Sequence, residues 1–140
     1  MINTKAVSTL NALCLDDEVL VVMDAQSMLQ DLGFQRVFEA MNLGDARAVA
    51  ADHRIDIALL DVNLGDGSTS IAFAEDLIAS GTKVIFTTGY NQSEGLVDHL
   101  ECGFVAKPFS DSVIAAAVRK SLGADESEGE QVVEVPAAAG

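Results

Sequence analysis

The strongest constraint on this chain is the run Ile55-Asp56-Ile57-Ala58-Leu59-Leu60-Asp61, largely apolar and ending in a carboxylate. A short apolar run bounded by turn residues suits a strand buried on both faces of a parallel sheet. The turn follows at once, as Asn63-Leu64-Gly65-Asp66-Gly67-Ser68. Asp61 then stands where a buried strand meets its C-terminal loop, the edge at which open α/β sheets bind ligands. Such a position suits a phosphoryl acceptor, and the rest of the chain bears on that reading.

Upstream, Leu10–Leu15 reads as a first strand, stopped by Asp16-Asp17-Glu18. A helix follows with Val21, Ala25, Met28, Leu29 and Leu32 on one face, leaving Leu20, Val22 and Met23 off it. Gly33 closes it. Gln35–Ala40 is a weaker strand, and Asn42 to about His53 a helix with Ala46, Val49 and Ala50 inward. After the Asp61 strand, a helix over Thr69–Ala79 turns Ile71, Ala74, Leu77 and Ile78 inward and ends before Gly81. Lys83–Thr88 is a fourth strand. Tyr90–Cys102 is irregular, with at most a short helix over Glu94–Leu100. Gly103–Lys107 is a fifth strand, broken by Pro108. Ser110 is placed to cap a last helix carrying Val113, Ile114, Ala117, Val118 and Leu122. This alternation predicts an α/β fold: a doubly wound, five-stranded parallel sheet with helices on both faces.

At 140 residues, one domain is expected, over residues 10–122. Residues 1–9 form a polar lead-in. Residues 123–140 read as an acidic disordered tail, with no second folded domain expected after Leu122. The 22 acidic residues outnumber the 8 basic ones, for a net charge of −14, which argues against nucleic-acid binding. No apolar run reaches the ~20 residues of a membrane span, and the N-terminus is no signal peptide. A cytoplasmic protein is expected. Cys14 then reads as core and Cys102 as an unremarkable thiol. His53 and His99 read as surface histidines, the four methionines as packing residues, and Gly65-Asp66-Gly67 as a turn rather than a phosphate loop.

The polar strand ends carry the chemistry. The first strand delivers Asp16 and Asp17, the third Asp61, the fourth Thr88 and the fifth Lys107, all to one edge of the sheet. Crowded carboxylates repel and raise at least one pKa, and a divalent cation relieves that repulsion. Oxygen ligands without His or Cys select a hard ion, most simply Mg2+. Lys107 adds a positive charge and Thr88 a hydroxyl donor. The set suits phosphoryl transfer to a carboxylate, with Asp61 as nucleophile.

Taken together, Asp16-Asp17-Glu18, Leu59-Leu60-Asp61, Thr88-Gly89 and Lys107-Pro108-Phe109 resemble the motifs of the response-regulator receiver domains of two-component signalling, over residues 10 to about 122. The resemblance implies a flavodoxin-like sheet of order 2-1-3-4-5. It implies that Asp61 takes a phosphoryl group from a phosphohistidine on a histidine kinase or phosphotransfer protein. It further implies that Asp17, Asp61 and the backbone carbonyl of Asn63 bind Mg2+ directly, with Asp16 acting mainly through water. Lys107 would contact the phosphoryl group, Thr88 would swing toward it, and Phe104 would follow as the switch aromatic. The Lys107–Pro108 peptide is expected to be cis. Asn63 and Tyr90 fall at sites that tune hydrolysis of the phosphoaspartate. Such a chain is a phosphoacceptor with autophosphatase activity rather than an enzyme, and a monomer or weak dimer.

The chain departs from the family pattern in places. Leu64, Gly65 and Thr69 stand where most receivers carry Met, Pro and a Gly, and the added glycine is expected to loosen the loop. Thr88 and Lys107 lie closer in sequence than is typical, so the fourth helix is expected to be shortened or absent. Phe86-Thr87-Thr88-Gly89-Tyr90 also resembles the Phe-Ala-Thr-Gly signature of the single-domain "FAT GUY" receivers of stress signalling, with Thr87 replacing the Ala. Signalling would run through protein contacts or onward phosphotransfer, with Leu20 and Met23 as a docking patch beside the acidic pocket. Two alternatives stand beside this reading. One is a phosphorylation-independent binding module of receiver fold. The other is a hydrolase of the haloacid-dehalogenase kind, which would need an Asp where this chain has Asn63.

Overall fold

Successive side chains of a strand leave on opposite faces, so a strand apolar at every position needs cover on both sides. A computed structural model of the protein, describing residues 7–89 and 100–123, meets that need. In β1 (Asn11–Leu15) every residue after Asn11 is buried, and in β3 (Ile57–Asp61) every residue is. With β2 (Arg36–Ala40), β6 (Lys83–Thr88) and β7 (Gly103–Ala106) they form one parallel sheet of order β2-β1-β3-β6-β7. This is the anticipated 2-1-3-4-5 order, since β6 and β7 are its fourth and fifth strands. The numbering is shifted by a small antiparallel hairpin, β4 (Asn63–Leu64) with β5 (Ser68–Thr69).

Helices α1 (Val19–Leu32) and α4 (Asp111–Gly123) cover one face, packing Ala25, Leu29, Ile114 and Val118 onto Ala12, Cys14, Ile57, Leu59 and Ile85. Helices α2 (Leu43–Asp52) and α3 (Ile71–Ala79) cover the other, setting Ala46, Phe73, Ala74 and Leu77 against Leu13, Leu15, Ala58, Leu60 and Phe86. Local chemistry fixes the helix ends. The Asn42 side chain accepts the Asp45 N–H at 2.8 Å and caps α2. Ser110 Oγ accepts the Val113 N–H at 3.3 Å at the start of α4. Gly33, at φ 102°, ends α1 in the left-handed conformation that glycine takes without strain.

Several expectations need correction. The buried face of α1 runs through Val22, Ala25 and Leu29, so Val22 packs inward (2% exposed) while Val21 is only half-buried. Phe73 leads the inner face of α3, with Ile71 and Ile78 at its margin, and the helix begins at Ile71 rather than Thr69. Val113 is exposed on α4. Val7, in the supposed polar lead-in, is buried against the α1–α4 face, and its carbonyl accepts the Leu10 N–H at 2.9 Å. His53 is half-buried, stacked on Phe38 with ring centroids 4.5 Å apart. The loop after Asp61 is the β4–β5 hairpin, whose Gly65 N–H donates to Asp17 Oδ2 at 3.1 Å. That main-chain bond ties the loop across the sheet edge. Tyr90, His99, the shortened fourth helix and, apart from Leu100, the short helix near 94–100 fall outside the described residues. So do residues 1–6 and the tail from 124.

Candidate functional site

Four neighbouring strands end together, and each ends in a polar group. Asp16 follows β1, and its N–H donates to the Ala40 carbonyl at 3.2 Å. Asp61 is the last residue of β3, Thr88 the last of β6, and Lys107 follows β7. The Lys107 N–H donates to the Thr88 carbonyl at 2.8 Å, extending the β6–β7 ladder to the site. The Lys107–Pro108 peptide is cis.

The Lys107 ammonium reaches back across the sheet edge. Its Nζ donates to Asp16 Oδ2 at 3.0 Å, lies 3.4 Å from Asp61 Oδ2 and stands 3.8 Å from Glu18 Oε1. Asp16 Oδ1 accepts the Glu18 N–H at 2.9 Å. Carboxylate oxygens of Asp16, Asp17 and Asp61 lie within 4.8 Å of one another. Asp16 and Asp61 are buried, whereas Asp17 faces solvent.

Burial is the main cause that lifts the Asp61 pKa to about 6, with the charges of Asp16 and Asp17 adding to it and Lys107 opposing. Burial works against the Lys107 ammonium, but the hydrogen bond and charge of Asp16, then those of Asp61, outweigh it and raise its pKa. One cation thus faces three carboxylates. Asp61 Oδ1 is buried and has no hydrogen-bond partner among the described residues. An orphaned buried carboxylate oxygen beside two further oxygen donors fits a hard divalent cation, so these residues suit Mg2+.

Asp61 rests on a support that the sequence did not announce. Ser70, fully buried, donates from Oγ to the Asp61 main-chain carbonyl at 2.7 Å, and its N–H donates to the Val62 carbonyl at 3.0 Å. The only trace of it in the sequence is a serine just before an apolar helix. Glu18 joins the Lys107 network, and Gly65 touches Asp17; neither role was foreseen.

The remaining residues fall around this centre. Thr88 is buried at the strand end next to Asp61, with Thr87 as the direct register partner of Asp61. Phe104 is half-buried and lies tilted against Phe86, centroids 5.8 Å apart. Asn63 opens β4, its side chain exposed. Leu20 and Met23 are 71% and 54% exposed on the first turns of α1, with Val19 exposed beside them. Among the described residues, no helix is long and apolar enough to cross a membrane.

Known proteins share this sequence pattern and fold. The family model for the response regulator receiver domain matches residues 12–119. The phyllosphere-induced regulator PhyR of Methylorubrum extorquens is 29% identical over 113 residues, 79% of this chain but 42% of PhyR. The chain therefore spans less than half the length of that relative. The chemotaxis protein CheY of Bacillus subtilis is 26% identical over 115 residues, 79% of this chain and 95% of CheY. Among solved structures, SdrG of Sphingomonas melonis Fr1 superposes with a TM-score of 0.71 at 29% identity, covering 82% of this chain and 98% of SdrG. The receiver domain of Erythrobacter litoralis PhyR superposes with a TM-score of 0.73 at 26% identity, covering 91% and 99%. With the strand-end carboxylates, the lysine and the sheet order already in place, the chain belongs to the response regulator receiver family of two-component signalling, whose receiver domains are generally signalling phosphoacceptors.

Proposed function

We propose that Asp61 accepts a phosphoryl group from a phosphohistidine on a histidine kinase or histidine phosphotransfer protein, in a Mg2+-dependent reaction. The observation that carries this reading is the Asp61 carboxylate itself. It is buried, one oxygen is without a partner among the described residues, and the other lies 3.4 Å from the Lys107 ammonium. In the transfer, a lone pair of an Asp61 oxygen forms the new O–P bond as the donor N–P bond breaks. The bonding pair returns to the imidazole nitrogen. Lys107 is near enough to balance charge gathering on the phosphoryl oxygens. Asp17, Asp61 and the Asn63 carbonyl would hold Mg2+ directly and Asp16 through water; the ion supplies the positive charge that one lysine does not.

The switch reading rests on position. Thr88 would turn its hydroxyl to the phosphoryl group and Phe104 would follow into the space it leaves. Asn63 and Tyr90 would tune the autophosphatase step that clears the phosphoaspartate. The exposed Leu20 and Met23 lie on α1, which starts three residues after Asp16, and would seat the donor protein. This reading implies a cytoplasmic protein acting as a monomer or weak dimer on a receiver core at 10–122. The Phe86–Tyr90 run supports a place among the FAT GUY receivers.

The nature of the bond is the test. A phosphoryl group transferred from a phosphohistidine protein to Asp61 is an acyl phosphate, so hydroxylamine releases it at neutral pH. A label that survives hydroxylamine would contradict an aspartyl acceptor.

A further inference from the structure

Asp16 and Asp61 are buried and fixed by their strands, but Asp17 is solvent-exposed and needs something else to hold its carboxylate at the site. The structure supplies it from 48 residues away: the Gly65 main-chain N–H donates to Asp17 Oδ2 at 3.1 Å. We propose that Gly65 is a positioning residue, its N–H setting Asp17 for metal binding and its lack of a side chain making that approach possible. This inference rests on the reading that Asp17 and Asp61 hold Mg2+.

Two glycines sit in this hairpin, for different reasons. Gly67 adopts φ 90°, and a Cβ there would meet no atom nearby, so its glycine answers to the backbone. Gly65 is not among the glycines with positive φ, so its backbone is open to other residues. What excludes them is space, since a Cβ on Gly65 would collide with Asp17 Oδ2. The atom it would strike is the end of a movable side chain, so a larger residue displaces the carboxylate and leaves the fold intact.

The donor is itself held firmly. Asp66 Oδ1 accepts the Ser68 N–H at 2.9 Å and the Ser68 hydroxyl at 2.6 Å, closing the turn. Ser70 then ties the far end of the hairpin to the Asp61 carbonyl. Gly65 thus transmits the position of β3 to a carboxylate on the loop after β1. A carboxylate oriented before the ion arrives loses less rotamer freedom on binding. Partners that orient metal ligands in this way commonly contribute 10–100-fold in affinity.

Calorimetric titration with Mg2+ of the wild type and Gly65→Ala, with metal-free melting followed by circular dichroism, tests the inference. The expected result is metal-free melting within a few degrees of wild type and Mg2+ affinity weakened about tenfold. A purely structural glycine would move the melting temperature and not the affinity. Equal Mg2+ affinity in a folded Gly65→Ala protein overturns the inference and leaves the Mg2+ reading standing. No Mg2+ binding by the wild type overturns both. Should Gly65→Ala fail to fold, the Gly65 amide resonance in wild type and Asp17→Ala decides. An upfield shift in the variant supports the bond, and an unchanged resonance overturns it.

Discussion

Lys107 Nζ donates to Asp16 Oδ2 at 3.0 Å and stands farther, 3.4 Å, from Asp61 Oδ2. The lysine is thus anchored on the first strand while its charge faces the third. Lys107→Met keeps much of the stem but leaves the buried carboxylates without their cation. Hydrogen bonds to charged groups are worth about 1.5–3 kcal/mol, so this variant should lose about 2 kcal/mol at pH 8 without metal. The loss should shrink toward pH 5, as Asp61 takes up a proton instead. Urea unfolding at the two pH values checks both parts.

The Asp61 titration gives a second prediction. Its pKa is about 6 in the folded chain, against 3.8 for a free side chain. The folded state therefore binds this proton more tightly than the unfolded state. The corresponding stability is fully present below the unfolded pKa and is lost as pH rises through about 6. A shift of this size corresponds to about 3 kcal/mol at most. Metal-free Asp61→Asn, which cannot ionise, should be more stable than wild type at pH 8 by about 1–3 kcal/mol and show no such gain near pH 4. Denaturant midpoints across this range measure it.

Ser70→Ala removes the hydroxyl that satisfies the buried Asp61 carbonyl. An unsatisfied buried acceptor costs about 1–3 kcal/mol, so the urea midpoint should fall accordingly. The rate of Asp61 phosphorylation should fall several-fold as well, because the Asp61 main chain loses its brace. A midpoint loss with an unchanged rate would limit Ser70 to stability.

Leu20 and Met23 give a prediction that separates docking from chemistry. Leu20→Glu with Met23→Glu adds charge to an exposed face that already sits beside acidic groups. Labelling by acetyl phosphate, which needs no protein surface, should be unchanged. Transfer from a phosphorylated histidine protein should slow about tenfold or more, as expected when central apolar contacts of an interface are replaced by charge. Equal rates from both donors would remove α1 from the docking surface.

Periodicity and turn chemistry carried the strand–helix alternation, the helix ends at Gly33, Asn42 and Ser110, and the convergence of Asp16, Asp61 and Lys107, while the strand order came from the resemblance to receiver domains. What they could not carry was phase and distance. Val19-Leu20-Val21-Val22-Met23 is apolar all the way round a helix, so its pattern cannot say whether Val21 or Val22 points inward; packing chooses Val22. The β4–β5 hairpin spans two residues per strand, too short for an alternation signal. Gly65 and Ser70 act through single hydrogen bonds, to a residue 48 positions away in one case and to a carbonyl in the other. Neither bond leaves a compositional mark. Val7 was hidden by its polar neighbours.

The most direct measurement is intact mass after incubation with acetyl phosphate or a phosphorylated histidine kinase, for wild type and Asp61→Asn, with Mg2+ and with a chelator. The prediction is a gain of one phosphoryl group in wild type with Mg2+, absent from Asp61→Asn and abolished by chelation. A gain of the same size in Asp61→Asn, or no gain in wild type from either donor, would contradict Asp61 as the acceptor.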